Sequence, residues 1–201
     1  ETETNPDTIA TQEWDLEGMY LNGSKLSIVS GFDMKKGTTY GGYTYKTGDL
    51  FIDVTGDAKY GSIAGPTQKL DPLTTGYGAT GPLVTNNVDG WDYVIHFNST
   101  GSGASYNGVA SYSVYQLSAT SQVTRVVDVS SSNPWTYVTN ASEALAGYQN
   151  LSLAYGSLLP ADYLTMTTFG STGPGLQGVG GNNNHFYTTV DLSFLPSSFA
   201  T

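Results

Sequence analysis

From Trp91 to Leu117 the sequence alternates apolar and polar residues in two runs separated by a glycine-rich tip. Trp91, Tyr93, Ile95 and Phe97 fall on one side of the first run, and Asp92, Val94, His96 and Asn98 on the other. The second run sets Val109, Ser111, Ser113, Tyr115 and Leu117 against Ala110, Tyr112 and Val114. A repeat of two is the side-chain period of a strand, and a helix cannot bury one face of such a pattern. Two long alternating runs joined through Ser99-Thr100-Gly101-Ser102-Gly103 therefore predict a hairpin around which the remaining chain must build sheets.

The same period recurs elsewhere. Trp14 to Tyr20 and Lys25 to Phe32 read as strands joined by Leu21-Asn22-Gly23-Ser24, where Asn-Gly supplies the positive φ angles of a tight turn. Leu50 to Val54 reads as a short buried strand entering the turn Thr55-Gly56-Asp57, and Val123 to Val129 and Phe186 to Leu195 read as further strands. One helix is predicted from Asn140, with Glu143 completing an approximate capping box and Leu145, Tyr148, Leu151, Ser152 and Tyr155 at helical spacing. Prolines at 66, 72 and 82 break the region from 61 to 89 into a long loop. The expectation is an all-β chain: a single β-sandwich or jelly-roll-like domain over 13–201 with long loops and one short helix, preceded by an extended polar arm at 1–12.

Charge and cysteine content narrow the function classes. Seventeen acidic against seven basic residues give a net charge of -10, which repels phosphate backbones and argues against nucleic acid as a partner. No run of eighteen apolar residues occurs, so no membrane-spanning helix is expected. With no cysteine among 201 residues, stability must come from packing or metal ions. Twenty-five glycines, fifteen tyrosines and many Thr, Ser and Asn suit a secreted, turn-rich protein. The start at Glu1, without an initiator Met or an apolar leader, reads as a processed mature form or a trimmed chain.

Candidate chemistry centres on the acidic turn. Asp49, Asp53 and Asp57, with the Thr55 hydroxyl, are expected at one rim, where Asp53, Thr55 and Asp57 imitate the start of a calcium loop and make Ca²⁺ the candidate cofactor. The competing reading is an Asp-Gly turn whose carboxylates cap backbone N–H groups. Tyr40, Tyr43, Tyr45, Tyr60 and Tyr77 are loop aromatics suited to stacking on sugar rings or to subunit contacts. Asn22, Asn98, Asn140 and Asn150 each begin an Asn-X-Ser/Thr triplet, the acceptor pattern for glycosylation. His96 and His185 lie apart, without a metal or catalytic grouping, and no nucleophile elbow or phosphate loop occurs. The chain is accordingly expected not to be an enzyme.

Trp14…Gly18-Met19-Tyr20, Ser30-Gly31-Phe32-Asp33, Gly48-Asp49-Leu50-Phe51-Ile52-Asp53…Gly56-Asp57…Tyr60-Gly61, Trp91-Asp92-Tyr93-Val94, Tyr112-Ser113-Val114-Tyr115, Asn133-Pro134-Trp135 and His185-Phe186…Val190-Asp191-Leu192-Ser193-Phe194-Leu195 resemble the ectodomains of bacterial PEP-CTERM surface proteins. The resemblance implies an exported protein associated with extracellular polysaccharide and biofilm material, and it assigns no catalytic residues. The Pro-Glu-Pro motif, the apolar helix and the basic tail of that group do not occur in this sequence. Together these readings predict a structural or adhesive protein of an extracellular matrix or filament, partnered by itself through strand addition from the N-terminal arm, or by extracellular polysaccharide. A carbohydrate-binding module and a glycan-active enzyme are the alternatives.

Overall fold

The computed structural model describes residues 16–40, 43–58, 83–86, 90–100, 106–125, 135–156 and 186–196. Within them the chain is mostly strand, as the alternation requires. Contacts cluster into two compact units, one from residues up to 38 together with those from 153 onward, the other spanning 39–152, where the sequence reading drew one domain over 13–201. The arm at 1–12, Tyr60, Tyr77 and most of the loop at 61–89 lie outside the described residues.

The first unit holds a four-stranded sheet made of β1 (Leu16–Asn22), β2 (Lys25–Ser30), β13 (Phe186–Asp191) and β12 (Ala154–Gly156), in the order β1-β2-β13-β12. All its pairings are antiparallel, and β2 and β13 are central. Asn22 pairs with Lys25, so the two-residue turn is Gly23-Ser24, one position later than an Asn-Gly turn. Only Gly23 of this pair has a positive φ, +57°, the sign pattern of a type II′ turn. Ile28 and Val29, on opposite faces of β2, are both buried, and Val190 and Thr188 on β13 are fully enclosed. Lys25 Nζ meets Asp191 Oδ2 at 2.5 Å across the paired strand ends.

The second unit contains a four-stranded sheet, β11 (Leu151–Ser152), β8 (Gly108–Gln116), β7 (Tyr93–Thr100) and β5 (Leu50–Ile52), in the order β11-β8-β7-β5. The predicted hairpin is its spine: Tyr93 pairs with Gln116 and the ladder runs to Thr100 opposite Gly108, with a bulge at Asn98/Ser99. Val94, Ile95 and Val114 have no exposed surface, so both sheet faces are covered and Val94 does not point outward as alternation alone predicts. β5 is shorter than expected and only half-buried, because it pairs on one side alone, with β7. A three-stranded sheet of β10 (Trp135–Tyr137), β9 (Gln122–Arg125) and β6 (Val84–Thr85) supplies Tyr137, which packs on Val94 and Tyr115 of the first sheet. β3 (Thr38–Tyr40) and β4 (Tyr43–Tyr45) form a separate two-stranded ribbon.

The helix predicted from Asn140 is absent. Asn140 does cap, accepting from Ser142 N, but only a single 3-10 turn, Ala141–Glu143, follows. Glu143 does not return to the cap; its carboxylate is taken by Ser118, Ser121 and Tyr137. The backbone beyond prefers the edge of β8, where Leu145 N donates to Val114 O and Val114 N donates to Tyr148 O. Gly147 at φ +81° and Asn150 at φ +54° cannot continue a right-handed helix. Among the described residues no helix is long and apolar enough to cross a membrane.

Two predictions follow from the first unit. A Cβ on Gly156 would overlap the ring of Tyr187, its cross-strand partner. Gly156→Ala should therefore cost about 1–3 kcal/mol of stability in chemical denaturation, and Tyr187→Ala should add little in that background. Burial alone would raise the Asp191 pKa, but the Lys25 ammonium and the Ser193 N–H outweigh it and bring it to about 2. A depressed carboxylate stabilises the fold above its unfolded value of about 3.9, and the contribution disappears as pH falls through about 2. Lys25 is 55% exposed, and solvent screening holds the pair to less than about 1 kcal/mol. Lys25→Met should be less stable than the parent at pH 7 and equal to it near pH 2.

Candidate functional site

The acidic turn folds as a cap for its own backbone. Asp53 follows β5, and its Oδ1 accepts from Gly56 N at 2.7 Å while Oδ2 accepts from Ala58 N at 2.9 Å. Gly56 supplies the reversal at φ +78°. The N–H of Ala58 above all, helped by Gly56, the Thr55 hydroxyl and Asp57, lowers the Asp53 pKa against a smaller desolvation effect. Asp92, just ahead of β7, closes the turn from the neighbouring strand, its Oδ2 accepting from Val54 N at 2.7 Å and Thr55 N at 2.9 Å.

Three carboxylates thus converge on one hydroxyl. Thr55 Oγ1 lies 2.6 Å from Asp57 Oδ1, 3.1 Å from Asp92 Oδ2 and 3.3 Å from Asp53 Oδ1. The hydroxyl occupies the centre of the group, and the oxygens of Asp53 and Asp92 that face it are already acceptors for backbone N–H groups. Among the described residues no three His, Cys, Asp or Glu side chains are arranged to share one ion. The geometry is that of a capped Asp-Gly turn.

Asp49 does not belong to that rim. The four residue steps from 49 to 53 span about 13 Å of extended chain, and the two carboxylates face different partners. Asp49 is only 3% exposed at its side chain. Its Oδ2 accepts from Tyr137 N at 2.7 Å and Thr136 Oγ1 at 3.0 Å and lies 2.8 Å from His96 Nδ1, while Oδ1 accepts from Phe97 N at 3.1 Å. Asp49 N donates to Trp135 O at 2.9 Å. His96 is accordingly not isolated on an outward face: it is mostly buried, with the rings of Tyr115 and Tyr137 edge-on at 6.3 and 6.4 Å.

Ser113 stands opposite His96 in the ladder, an arrangement that brings acid, imidazole and hydroxyl into one neighbourhood. The Ser113 hydroxyl, however, accepts from Asn98 Nδ2 and Asn150 N at 3.0 Å each, is 2% exposed, and makes no bond to His96. A nucleophile needs its base within hydrogen-bond reach, and this one is held by other partners. Further along, Glu143 accepts from Tyr137 Oη at 2.5 Å, Ser121 Oγ at 2.8 Å and Ser118 Oγ at 3.0 Å. Burial first, and then the bond to Glu143, raise the Tyr137 pKa well above the ordinary phenol value.

The remaining candidate residues are scattered. Tyr40 and Tyr43 lie in β3 and β4, and Tyr45 is half-buried at the end of β4. Of the four triplets, Asn22 is exposed at the end of β1. Asn98 has its amide nitrogen committed to Ser111 and Ser113, Asn140 caps the 3-10 turn, and Asn150 is exposed in the left-handed region. Asp92, Glu143 and the Asp49–His96 pair were not foreseen, and neither were Lys35, Lys36 and Tyr155 in the first unit. Asp92 carried no local signal, because it lies within the alternating run and the turn it caps is 37 to 38 positions away in sequence. No protein-family model, curated protein or solved structure matches the chain.

Asp49→Ala would leave two backbone N–H groups and the Thr136 hydroxyl without their acceptor and His96 without its acid. The expected loss is about 3–5 kcal/mol in urea denaturation, with Asp49→Asn losing less because it retains volume and one acceptor oxygen.

Proposed function

We propose that this chain is a secreted or cell-surface structural protein of an extracellular matrix or filament, assembling through the open edge of β1. The observation that carries the reading is that edge. β1 is seven residues long and pairs only with β2 among the described residues, and it carries Leu16, Met19 and Leu21 at 50%, 40% and 46% exposure. Met19 lies opposite Ile28 and Leu21 opposite Leu26, so the exposed residues continue the apolar face of the sheet toward the edge. Edge strands are ordinarily blunted by Lys, Pro or a bulge. β1 has neither Lys nor Pro, and its one register shift, between Leu16 and Gly18, leaves Gly18 to Asn22 regularly paired.

An added strand would extend the backbone ladder beyond β1 and cover Met19 and Leu21 in one step. The polar arm of residues 1–12 from a neighbouring copy is the segment assigned to this role. The acidic, cysteine-free composition and the likeness to exported surface proteins support the extracellular setting. Light scattering with electron microscopy of the intact chain tests the reading. Concentration-dependent polymers are expected, and Met19→Lys with Leu21→Lys, or removal of residues 1–12, should return the protein to a monomer with unchanged circular dichroism. A parent chain that stays monomeric at every concentration, or variants that polymerise as the parent does, would refute it.

A further inference from the structure

A different part of the first unit carries a binding site that assembly through β1 does not use. Between β2 and β3 the loop from 31 to 37 is fixed by Asp33, which is 6% exposed. Its Oδ1 accepts from Lys35 N at 3.0 Å and Lys36 N at 2.8 Å, its carbonyl accepts from Gly37 N at 2.7 Å, and its Oδ2 accepts from Tyr155 Oη at 2.8 Å. A buried acid thus sets the loop backbone and anchors the Tyr155 ring beside it.

The consequence is an unusual placement of charge. Lys35 Nζ lies 5.2 Å and Lys36 Nζ 5.9 Å from the centre of the same ring, so the ammonium groups of two successive residues stand against one aromatic ring. Among the described residues neither has a carboxylate within 4.0 Å, in a chain with seventeen acids. Asp33 does not neutralise them directly, because its oxygens are turned to backbone N–H groups and the tyrosine. Phe186 lies parallel to Tyr155, at 10° and 6.1 Å between centroids, and β12, which carries Tyr155, ends its sheet among the described residues. Among the described residues the site therefore combines two cations that lack a carboxylate partner with a pair of parallel aromatic rings.

We propose that Lys35, Lys36, Tyr155 and Phe186 bind a sugar unit bearing a single carboxylate, a uronic acid. The two flexible lysine side chains exchange the ring face for the stronger charge-assisted bonds of a carboxylate, and the pyranose takes the vacated aromatic surface. The net charge of -10 disfavours long polyanions, whereas an isolated carboxylate within a Debye length of two ammonium groups feels chiefly their field.

Titration of the full ¹⁵N-labelled chain with D-glucuronate, glucose and acetate, read by amide chemical shifts, tests the assignment. Saturable shifts at residues 33–38 and 154–156 with glucuronate alone are expected. Lys35→Ala with Lys36→Ala should raise the dissociation constant at least tenfold, Phe186→Ala at least threefold, and Lys35→Arg with Lys36→Arg should restore binding. Equal shifts with acetate would mean an adventitious ion only and overturn the sugar site. No shifts, undiminished binding by the alanine variant, or tighter binding of a polyglutamate peptide at the same amides would overturn it as well, the last in favour of an acidic protein partner.

Discussion

The second unit depends on the carboxylate of Asp49. It lies between the strand that opens its four-stranded sheet and β10 of the three-stranded sheet, and it accepts from the backbone of β7 and of β10 together. A buried carboxylate is costly to desolvate and is retained where several donors satisfy it at once. Here four donors do so, two of them nearly fifty and two nearly ninety residues along the chain from the acid. Tyr137, whose N–H reaches Asp49, then turns its ring onto Tyr115 at 4.7 Å and its hydroxyl onto Glu143. The contact between the sheets, the aromatic core and the position of the 3-10 turn all pass through this one acid.

The first unit solves a related problem with less polar machinery. β2 is buried on both faces and β13 on the face of Thr188 and Val190, and a charge pair stands at the ends of the strands, where Lys25 and Asp191 meet in partial solvent. Its buried acid, Asp33, organises a loop and a tyrosine instead of joining sheets. Burial first and then the bond to Asp33 raise the Tyr155 pKa well above the ordinary phenol value, so the ring stays neutral beneath the two lysines throughout the physiological range.

The strands were legible because alternation is a local signal. Tyr93 to Gln116 showed its hairpin, and Lys25 to Ser30 and Phe186 to Asp191 showed their strands, from period and turn residues alone. The region after Asn140 misled because helical spacing and a cap are also local, while the competing partner, the edge of β8, is not visible in the window. The same distinction divides the site. Asp53, Gly56 and Ala58 form a turn within six residues and could be read as such. Asp49 carries no mark distinguishing it from Asp53, because its partners at 96, 97, 136 and 137 are set by topology. Lys35 and Lys36 likewise look like a solvated pair until Tyr155, 119 positions beyond Lys36, is placed beneath them.

On the proposed reading, an acidic chain keeps distinct surfaces for distinct partners. Near Thr55, Asp53 and Asp92 accept from backbone N–H groups and Asp57 accepts from the Thr55 hydroxyl, and their charge adds to the repulsive field of the chain. Against that field, association must rely on surfaces where repulsion is locally weak. The β1 edge, which pairs only with β2 among the described residues, presents Met19 and Leu21, so the attraction proposed for it is hydrophobic and directional. The loop at Lys35 and Lys36 inverts the sign of the field over a few ångströms. Because one surface works through hydrogen bonds and apolar burial and the other through charge, added salt should weaken the second and spare the first, and the two can be occupied independently.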